Sequence, residues 1–224
     1  MPTYEQLGFG RSAALTGDRA RTMFGHVMGL VAFTLGFAAL GAYIGRDMHG
    51  SGWFLYFIGG FACSYALQVA SARGHEQLAV ALLFGMGLLL GLAISQVIAY
   101  YVQTDKGAVY QAAGATALFI ALLGTFGYST RRDLTGAMKV AVYAFFPVWI
   151  FGMIALFVAI PGSNVIYCVL MLAIFGVFTV FNFNRLANNP SYTSAVPIAA
   201  AIFLSIFNVF ILLLSLFGGG GSRR

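Results

Sequence analysis

Charged residues are scarce in this sequence, at 8% of its 224 positions. A soluble domain carries about a quarter, so the composition excludes an ordinary water-soluble protein. The few acidic residues avoid every hydrophobic stretch and lie in the N-terminal tail or between stretches: Glu5, Asp18, Asp47, Glu76, Asp105 and Asp133. We therefore expect no carboxylate inside the fold to bind a cation or to carry a proton.

Cysteine and histidine are also few. Cys63 and Cys168 both fall within hydrophobic stretches, which predicts neither a disulfide framework nor a metal-ligand pair. The three histidines are widely separated, and the sequence has no HExxH and no GxSxG pattern. The chain therefore offers no catalytic residues, and we expect no enzymatic activity, metal or cofactor.

Long hydrophobic runs are what the sequence has in abundance. Runs of about 20 nearly uncharged residues predict membrane-spanning helices, and there are seven, near 23–44, 53–71, 77–102, 109–129, 138–160, 164–183 and 194–217. The prediction is an all-α integral membrane protein, with a tail over 1–21, a transmembrane domain over 22–217 and a flexible tail over 218–224. The ending GGGGSRR fits both a native tail and an expression scar.

The basic residues are distributed unevenly between the two ends of these runs. The N-terminal tail and the connections near 73, 131–139 and 185 hold eight Lys and Arg, and the other side holds four. This asymmetry predicts a cytoplasmic N-terminus and an external C-terminus, although a re-entrant last run would place both termini inside. The net charge of +6 favours attraction to anionic lipid headgroups over nucleic-acid binding.

Polar side chains interrupt the last two runs. Asn182, Asn184 and Arg185 end the sixth, and Ser205 and Asn208 lie inside the seventh. Polar groups at membrane depth usually face the bundle interior and are candidate functional positions. We interpret them as pore or gate residues, with a cytoplasmic mouth and a snorkelling Arg185 as the alternative. Ser205 and Asn208 share one helix face, and we expect the asparagine to be buried and hydrogen-bonded.

Other polar residues have simpler interpretations. Gln68 and Gln96 lie in the second and third runs, where hydrogen bonds across helices or a pore-lining position both fit. Arg131, Arg132 and Asp133 follow the fourth run and are interpreted as a solvated cytoplasmic anchor that pairs locally.

Glycines four residues apart recur in the first and third runs. Small residues at this spacing let helix backbones approach closely in lipid. Close contacts with another helix are therefore predicted at three pairs: Gly25 and Gly29, Gly41 and Gly45, and Gly87 and Gly91.

Several segments resemble the transmembrane BAX inhibitor motif family, in its bacterial branch. RTMFGHVMGLVAFTLGFAALGAYIG is similar to the first helix of the family, and GLLLGLAISQVIAYY to the third. YSTRRDLT resembles the connection after the fourth helix, and SIFNVFILLLSLFG the closing Asp-x-x-Asn-Leu-Phe signature. The resemblance implies six helices around a central seventh, and a calcium leak gated by pH.

In that family, two aspartates share a proton and close the pore. The resemblance places Asn182 and Ser205 at those positions, while Asn208 keeps the asparagine of the family. Like charges at close range can raise one pKa towards neutrality, but an amide and a hydroxyl do not titrate there. They also offer a divalent cation only neutral oxygens, where carboxylates are preferred. The substitutions thus remove the gate that the resemblance implies.

Two functions from different classes remain. In the first, the protein is an ion leak or transporter with Asn182, Ser205 and Asn208 along a central path. In the second, it is a regulatory subunit that docks on a larger membrane complex, such as the membrane-anchored AAA+ protease with which some bacterial relatives associate. Both place it as a multi-pass protein in the bacterial inner membrane.

Overall fold

The computed structural model describes residues 4–48, 52–158, 161–188 and 195–219. These ranges form seven helices and contain no strand: α1 (Tyr4–Gly45), α2 (Trp53–Ala72), α3 (Glu76–Thr104), α4 (Lys106–Ser129), α5 (Thr135–Phe157), α6 (Ser163–Asn188) and α7 (Ala195–Gly218). All seven contain a stretch long and apolar enough to cross a membrane. The predicted all-α membrane fold is confirmed.

Helix α1 is longer than its hydrophobic run. Its apolar part begins at Arg21, close to the predicted tail boundary, but the helix itself begins at Tyr4. At 1.5 Å per residue the 42-residue helix is about 63 Å long, roughly twice the hydrocarbon thickness of a bilayer. The N-terminal part of α1 therefore extends beyond the membrane span.

Short polar and glycine signals define the connections. Asp105 accepts a hydrogen bond from the Ala108 N–H at 3.1 Å and caps α4. Gly74 and Gly162 have φ of 79° and 77°, a left-handed conformation that glycine adopts without a Cβ clash, and they turn the chain before α3 and α6. Pro147 lies within α5 without ending it.

Helix α7 is the centre of the bundle. It contacts α1, α2, α3, α4 and α6, and 50% of its most apolar stretch is buried. In the described part of the chain α5 contacts α6 alone, and only 6% of its corresponding stretch is buried. Five helices therefore contact the central seventh directly. The sixth, α5, differs from the arrangement expected from the family because α6 separates it from α7.

Glycines bring α1 and α3 together. A Cβ at Gly41 on α1, or at Gly91 on α3, would collide with a backbone carbonyl of the other helix. Gly45 on α1 and Gly87 on α3 also lie close to the other helix. Two of the three predicted glycine pairs are thus confirmed as contacts. The pair Gly25 and Gly29 is not, because a Cβ at either position would meet no atom of the described residues within 4 Å. Spacing creates a surface for close contact, but a partner helix must also lie there.

Candidate functional site

The polar end of α6 is attached to the end of α4. The Asn184 side-chain N–H₂ donates to the Thr130 carbonyl, and Asn188 donates to the same oxygen at 2.9 Å. Asn184 is 7% exposed and Arg185 is half-buried. Asn188 was not among the sequence candidates, although its spacing of four residues from Asn184 places both on one helix face. Two amides on one carbonyl hold the ends of the two helices together.

Asn182 differs from its neighbours in having no such attachment. Its side chain is 7% exposed, and no described group forms a hydrogen bond with its amide. An amide at this depth normally has a partner. Asn182 is thus a buried amide of the predicted site with no hydrogen bond among the described residues.

The polar side chains of α7 form hydrogen bonds with backbone carbonyls of the same helix. The Ser205 hydroxyl is 3% exposed and donates to the Ala201 carbonyl at 3.1 Å. The half-buried Asn208 donates to the Leu204 carbonyl at 2.7 Å. The expected hydrogen bond of Asn208 exists, but it runs within α7, and the side chain is only half-buried where full burial was expected. Each of these bonds uses one side-chain hydrogen within α7, which is therefore not donated to a neighbouring helix.

The register of α6 against α7 separates Asn182 from Ser205. At the other end of the pair, the Ser215 hydroxyl donates to the Asn164 side-chain oxygen at 3.1 Å. Asn182 lies eighteen residues from Asn164, and Ser205 ten residues from Ser215. For antiparallel helices, the difference of eight residues corresponds to about 12 Å along the axis. No hydrogen bond joins the two side chains in the described ranges.

The two glutamines both lie on the outside of the bundle. Gln96 is exposed and donates to the Met48 carbonyl at 2.8 Å, which ties α3 to the connection after α1. Gln68 is also exposed, on α2. The interhelical interpretation thus has a contact at Gln96, whereas Gln68 lies outside the packed interior.

The connection between α4 and α5 is solvated, as expected for an anchor. Arg131, Arg132 and Asp133 are all exposed. Asp133 accepts from the Thr135 hydroxyl at 2.6 Å and from its backbone N–H at 2.9 Å. These bonds from Thr135 hold the pKa of the Asp133 carboxyl below its ordinary value. The local pairing is therefore with Thr135 at the start of α5, and no ion pair joins Asp133 to either arginine.

A large groove between α1 and α4 was not predicted from the sequence. It has a volume of about 970 Å³ and is lined mainly by apolar side chains. Alanines four residues apart on α4 (Ala113, Ala117 and Ala121) form one wall. This spacing was visible in the sequence, but it equally fits a close helix contact.

Apart from the half-buried Arg185, the polar chemistry inside the described part of the bundle is that of neutral groups. Among the described residues, no three His, Cys, Asp or Glu side chains come together where they could hold a metal ion. The buried polar side chains are instead hydroxyls and amides: Thr34, Ser95, Thr116, Thr179, Asn182, Asn184 and Ser205. Such groups can bind polar ligands by hydrogen bonds, but they do not exchange protons near neutral pH.

Comparison with known proteins agrees with the architecture. A sequence model of the family described as inhibitor of apoptosis-promoting Bax1 matches residues 20–222. An uncharacterized protein of Helicobacter pylori (strain ATCC 700392 / 26695) is 23% identical over 165 residues, 73% of this chain and 70% of the relative. An uncharacterized protein of Chlamydia muridarum is 24% identical over 232 residues, 96% of each chain.

Proposed function

The chain belongs to the family of inhibitors of apoptosis-promoting Bax1, and on this premise we propose that it is a multi-pass protein of the bacterial cytoplasmic membrane that lacks a proton-operated calcium gate. The N-terminus faces the cytoplasm in this proposal, because eight of the twelve basic residues lie on that side. Any calcium leak through the protein is small and changes little with pH.

The observation that carries this proposal is the chemistry of two buried positions. The resemblance places Asn182 and Ser205 where the family has its aspartate pair, and both side chains are buried. Neither titrates near neutral pH, and the Ser205 hydroxyl is already donated to Ala201. A hard divalent cation would find only neutral oxygens here, whereas its preferred ligands are carboxylates.

The packing around α7 also supports a sealed resting state. Large side chains on this helix are almost completely enclosed, among them Ile198, Ile202, Phe203 and Leu214. Hydrated ions do not cross apolar constrictions readily. A small leak follows from this packing together with the lack of buried carboxylates among the described residues.

Calcium flux into liposomes containing the purified protein tests the proposal. Flux should stay close to that of protein-free liposomes and should vary little between about pH 6 and 8. Histidine is the side chain that ordinarily titrates in this range, and the proposed path contains amides and a hydroxyl instead. Ser205→Asn is the matched control for later carboxylate variants, because it has the size of aspartate without its charge. A steep acid-sensitive flux through the unmodified protein would contradict the proposal.

The exposed surface of α5 favours a second candidate function, that of an accessory subunit on a larger membrane complex. This helix contacts α6 alone among the described helices and exposes large aromatic side chains, including Tyr143, Phe146 and Trp149. A membrane-anchored AAA+ protease is the partner class to test. Its recovery with the tagged protein from native membranes, identified by mass spectrometry, should fall when Phe146 and Trp149 become alanine. Phe61→Ala on exposed α2 is the control, and an absence of the protease from the wild-type preparation rejects this candidate.

A further inference from the structure

The groove between α1 and α4 exists because these helices share neighbours while their backbones stay apart. Both contact α7 and α3, yet the backbones of the described parts of α1 and α4 do not pack on each other, and the rings of Phe24 and Tyr128 meet only at one end. The floor of the groove is an aromatic and aliphatic face of α7, formed by Phe203, Ile206, Phe207 and Phe210. A space of about 970 Å³ remains open on its outer side, where lipid surrounds the bundle.

The lining determines the chemistry of the occupant. Most of the wall is alanine, phenylalanine and isoleucine, and its few polar side chains are Arg21, Thr116, Thr125 and Tyr128, of which Thr116 donates its hydroxyl to the Ala112 carbonyl at 2.7 Å. A polar occupant would lose most of its hydration here and gain few hydrogen bonds. The trough therefore fits hydrocarbon.

The dimensions favour an acyl chain over a protein helix. On α1 the lining runs from Arg21 to Ala42, which is about 32 Å at 1.5 Å per residue and matches the roughly 30 Å hydrocarbon core. Dividing the volume by this length gives about 30 Å² for the path of the centre of a water molecule, and about 60 Å² once the 1.4 Å radius of water is added all round. An α-helix with side chains, about 10–12 Å across, occupies roughly 80–110 Å². The groove is too narrow to enclose a helix.

One end of the groove carries positive charge. Arg21 is part of the lining, and one helical turn away the rings of Phe24 and Tyr128 meet edge to face, with their centroids 5.2 Å apart. Arg131 and Arg132 are exposed just beyond the end of α4. Basic residues at an apolar boundary attract anionic headgroups, and aromatic side chains favour the same interfacial depth.

From this combination we propose that the groove binds one anionic phospholipid of the leaflet on the Arg21 side, with an acyl chain in the trough and the phosphate at Arg21. The lipid would fill the space between α1 and α4 and would hold them at a fixed separation across α7. The inference does not depend on whether the protein conducts ions.

Native mass spectrometry of the detergent-purified protein tests the proposal directly. The protein is titrated with phosphatidylglycerol and, separately, with phosphatidylcholine carrying the same chains. One phosphatidylglycerol should remain bound, about fivefold more tightly than phosphatidylcholine, the ratio expected for one basic residue near an anionic headgroup. Equal retention of the two lipids by the wild type would refute the charged end of the site.

Variants locate the bound lipid. Ala121→Trp fills the trough about 10 Å from Tyr128, at seven residues along α4, and should abolish retention of both lipids. Arg21→Gln should keep phosphatidylcholine binding and remove the preference for phosphatidylglycerol. Ala62→Trp, on an exposed position of α2, and Arg73→Gln, exposed at the end of α2 and outside the lining, are the matched controls and should behave as the wild type.

Other occupants give different results. If Ala121→Trp retains the lipid, the lipid binds elsewhere and the proposal fails. If the wild type is a dimer and Ala121→Trp a monomer with no change in lipid retention, a second copy occupies the groove and the proposal also fails. Ala117→Trp is a second variant that fills the trough, and thermal unfolding of each variant separates lost binding from lost folding.

Discussion

Replacing Gly91 by alanine should loosen the bundle at the contact between α1 and α3. A Cβ at Gly91 would point into the backbone carbonyl of Ala38. Backbone atoms cannot rotate away as a side chain can, so the two helices must move apart. Gly41, Gly45 and Gly87 lie in the same contact and would lose packing together with Gly91.

The size of the effect follows from two opposing terms. In a helix interior, glycine to alanine stabilises by up to about 1 kcal/mol. Forcing an extra group into a packed contact costs about 1–3 kcal/mol, and a contact between two backbones belongs at the upper end. We expect Gly91→Ala to destabilise the protein by about 1–2 kcal/mol overall.

Gly85 provides a control on the same helix. A Cβ there would meet no atom within 4 Å, so Gly85→Ala should be neutral or stabilising by up to about 1 kcal/mol. The two variants can be compared by reversible unfolding in mixed detergent micelles, monitored by circular dichroism. Equal stability of Gly91→Ala and Gly85→Ala would refute the close approach of α1 and α3.

Three further predictions concern polar groups. Hydrogen bonds from Thr135 lower the pKa of Asp133, so the stability that this carboxylate contributes is present above its unfolded pKa, about 3.9, and is lost as the pH falls through the lowered folded value. Hydrogen exchange at the start of α5 should accelerate in that acidic window, and Asp133→Asn should remove this pH dependence. Asn208→Leu should cost less than about 1 kcal/mol in the same unfolding assay, since its hydrogen bond stays within α7, and a loss of 2 kcal/mol would indicate a bond to another helix. Asn182→Asp combined with Ser205→Asp should introduce at most a weakly pH-dependent calcium flux in liposomes, because charges separated by an axial offset of about 12 Å interact by no more than roughly 1.4 kcal/mol at an effective dielectric of 20. Each single variant should respond still more weakly and Ser205→Asn not at all, and a steep pH dependence of the double variant would show that the two side chains lie closer than this register places them.

Parts of the candidate site could be anticipated from the sequence. Asn182, Asn184 and Ser205 are buried as polar residues at membrane depth were expected to be. The sequence could not predict what each one bonds to. Asn184 reaches a carbonyl 54 residues away, at Thr130, whereas Asn208 bonds within its own helix. Both bonds satisfy an amide equally well, so residue type alone does not distinguish between them.

The sequence by itself determined the seven spans and the all-α class. A backbone in lipid must satisfy its own hydrogen bonds, so a long apolar run has one stable form, the helix. The glycine spacing in the first and third runs also predicted two real contacts, at Gly41 and Gly45 and at Gly87 and Gly91.

Only the tertiary structure decided which helices are neighbours. It placed α5 outside α6, left Gly25 and Gly29 without a partner helix, and opened the groove between α1 and α4. The physical reason is that lipid is as apolar as the inside of the bundle. In a soluble protein a hydrophobic face indicates the core, but in a membrane the same face can meet lipid or protein. Shape and the few polar bonds then select the neighbours, and both depend on residues far apart in the chain.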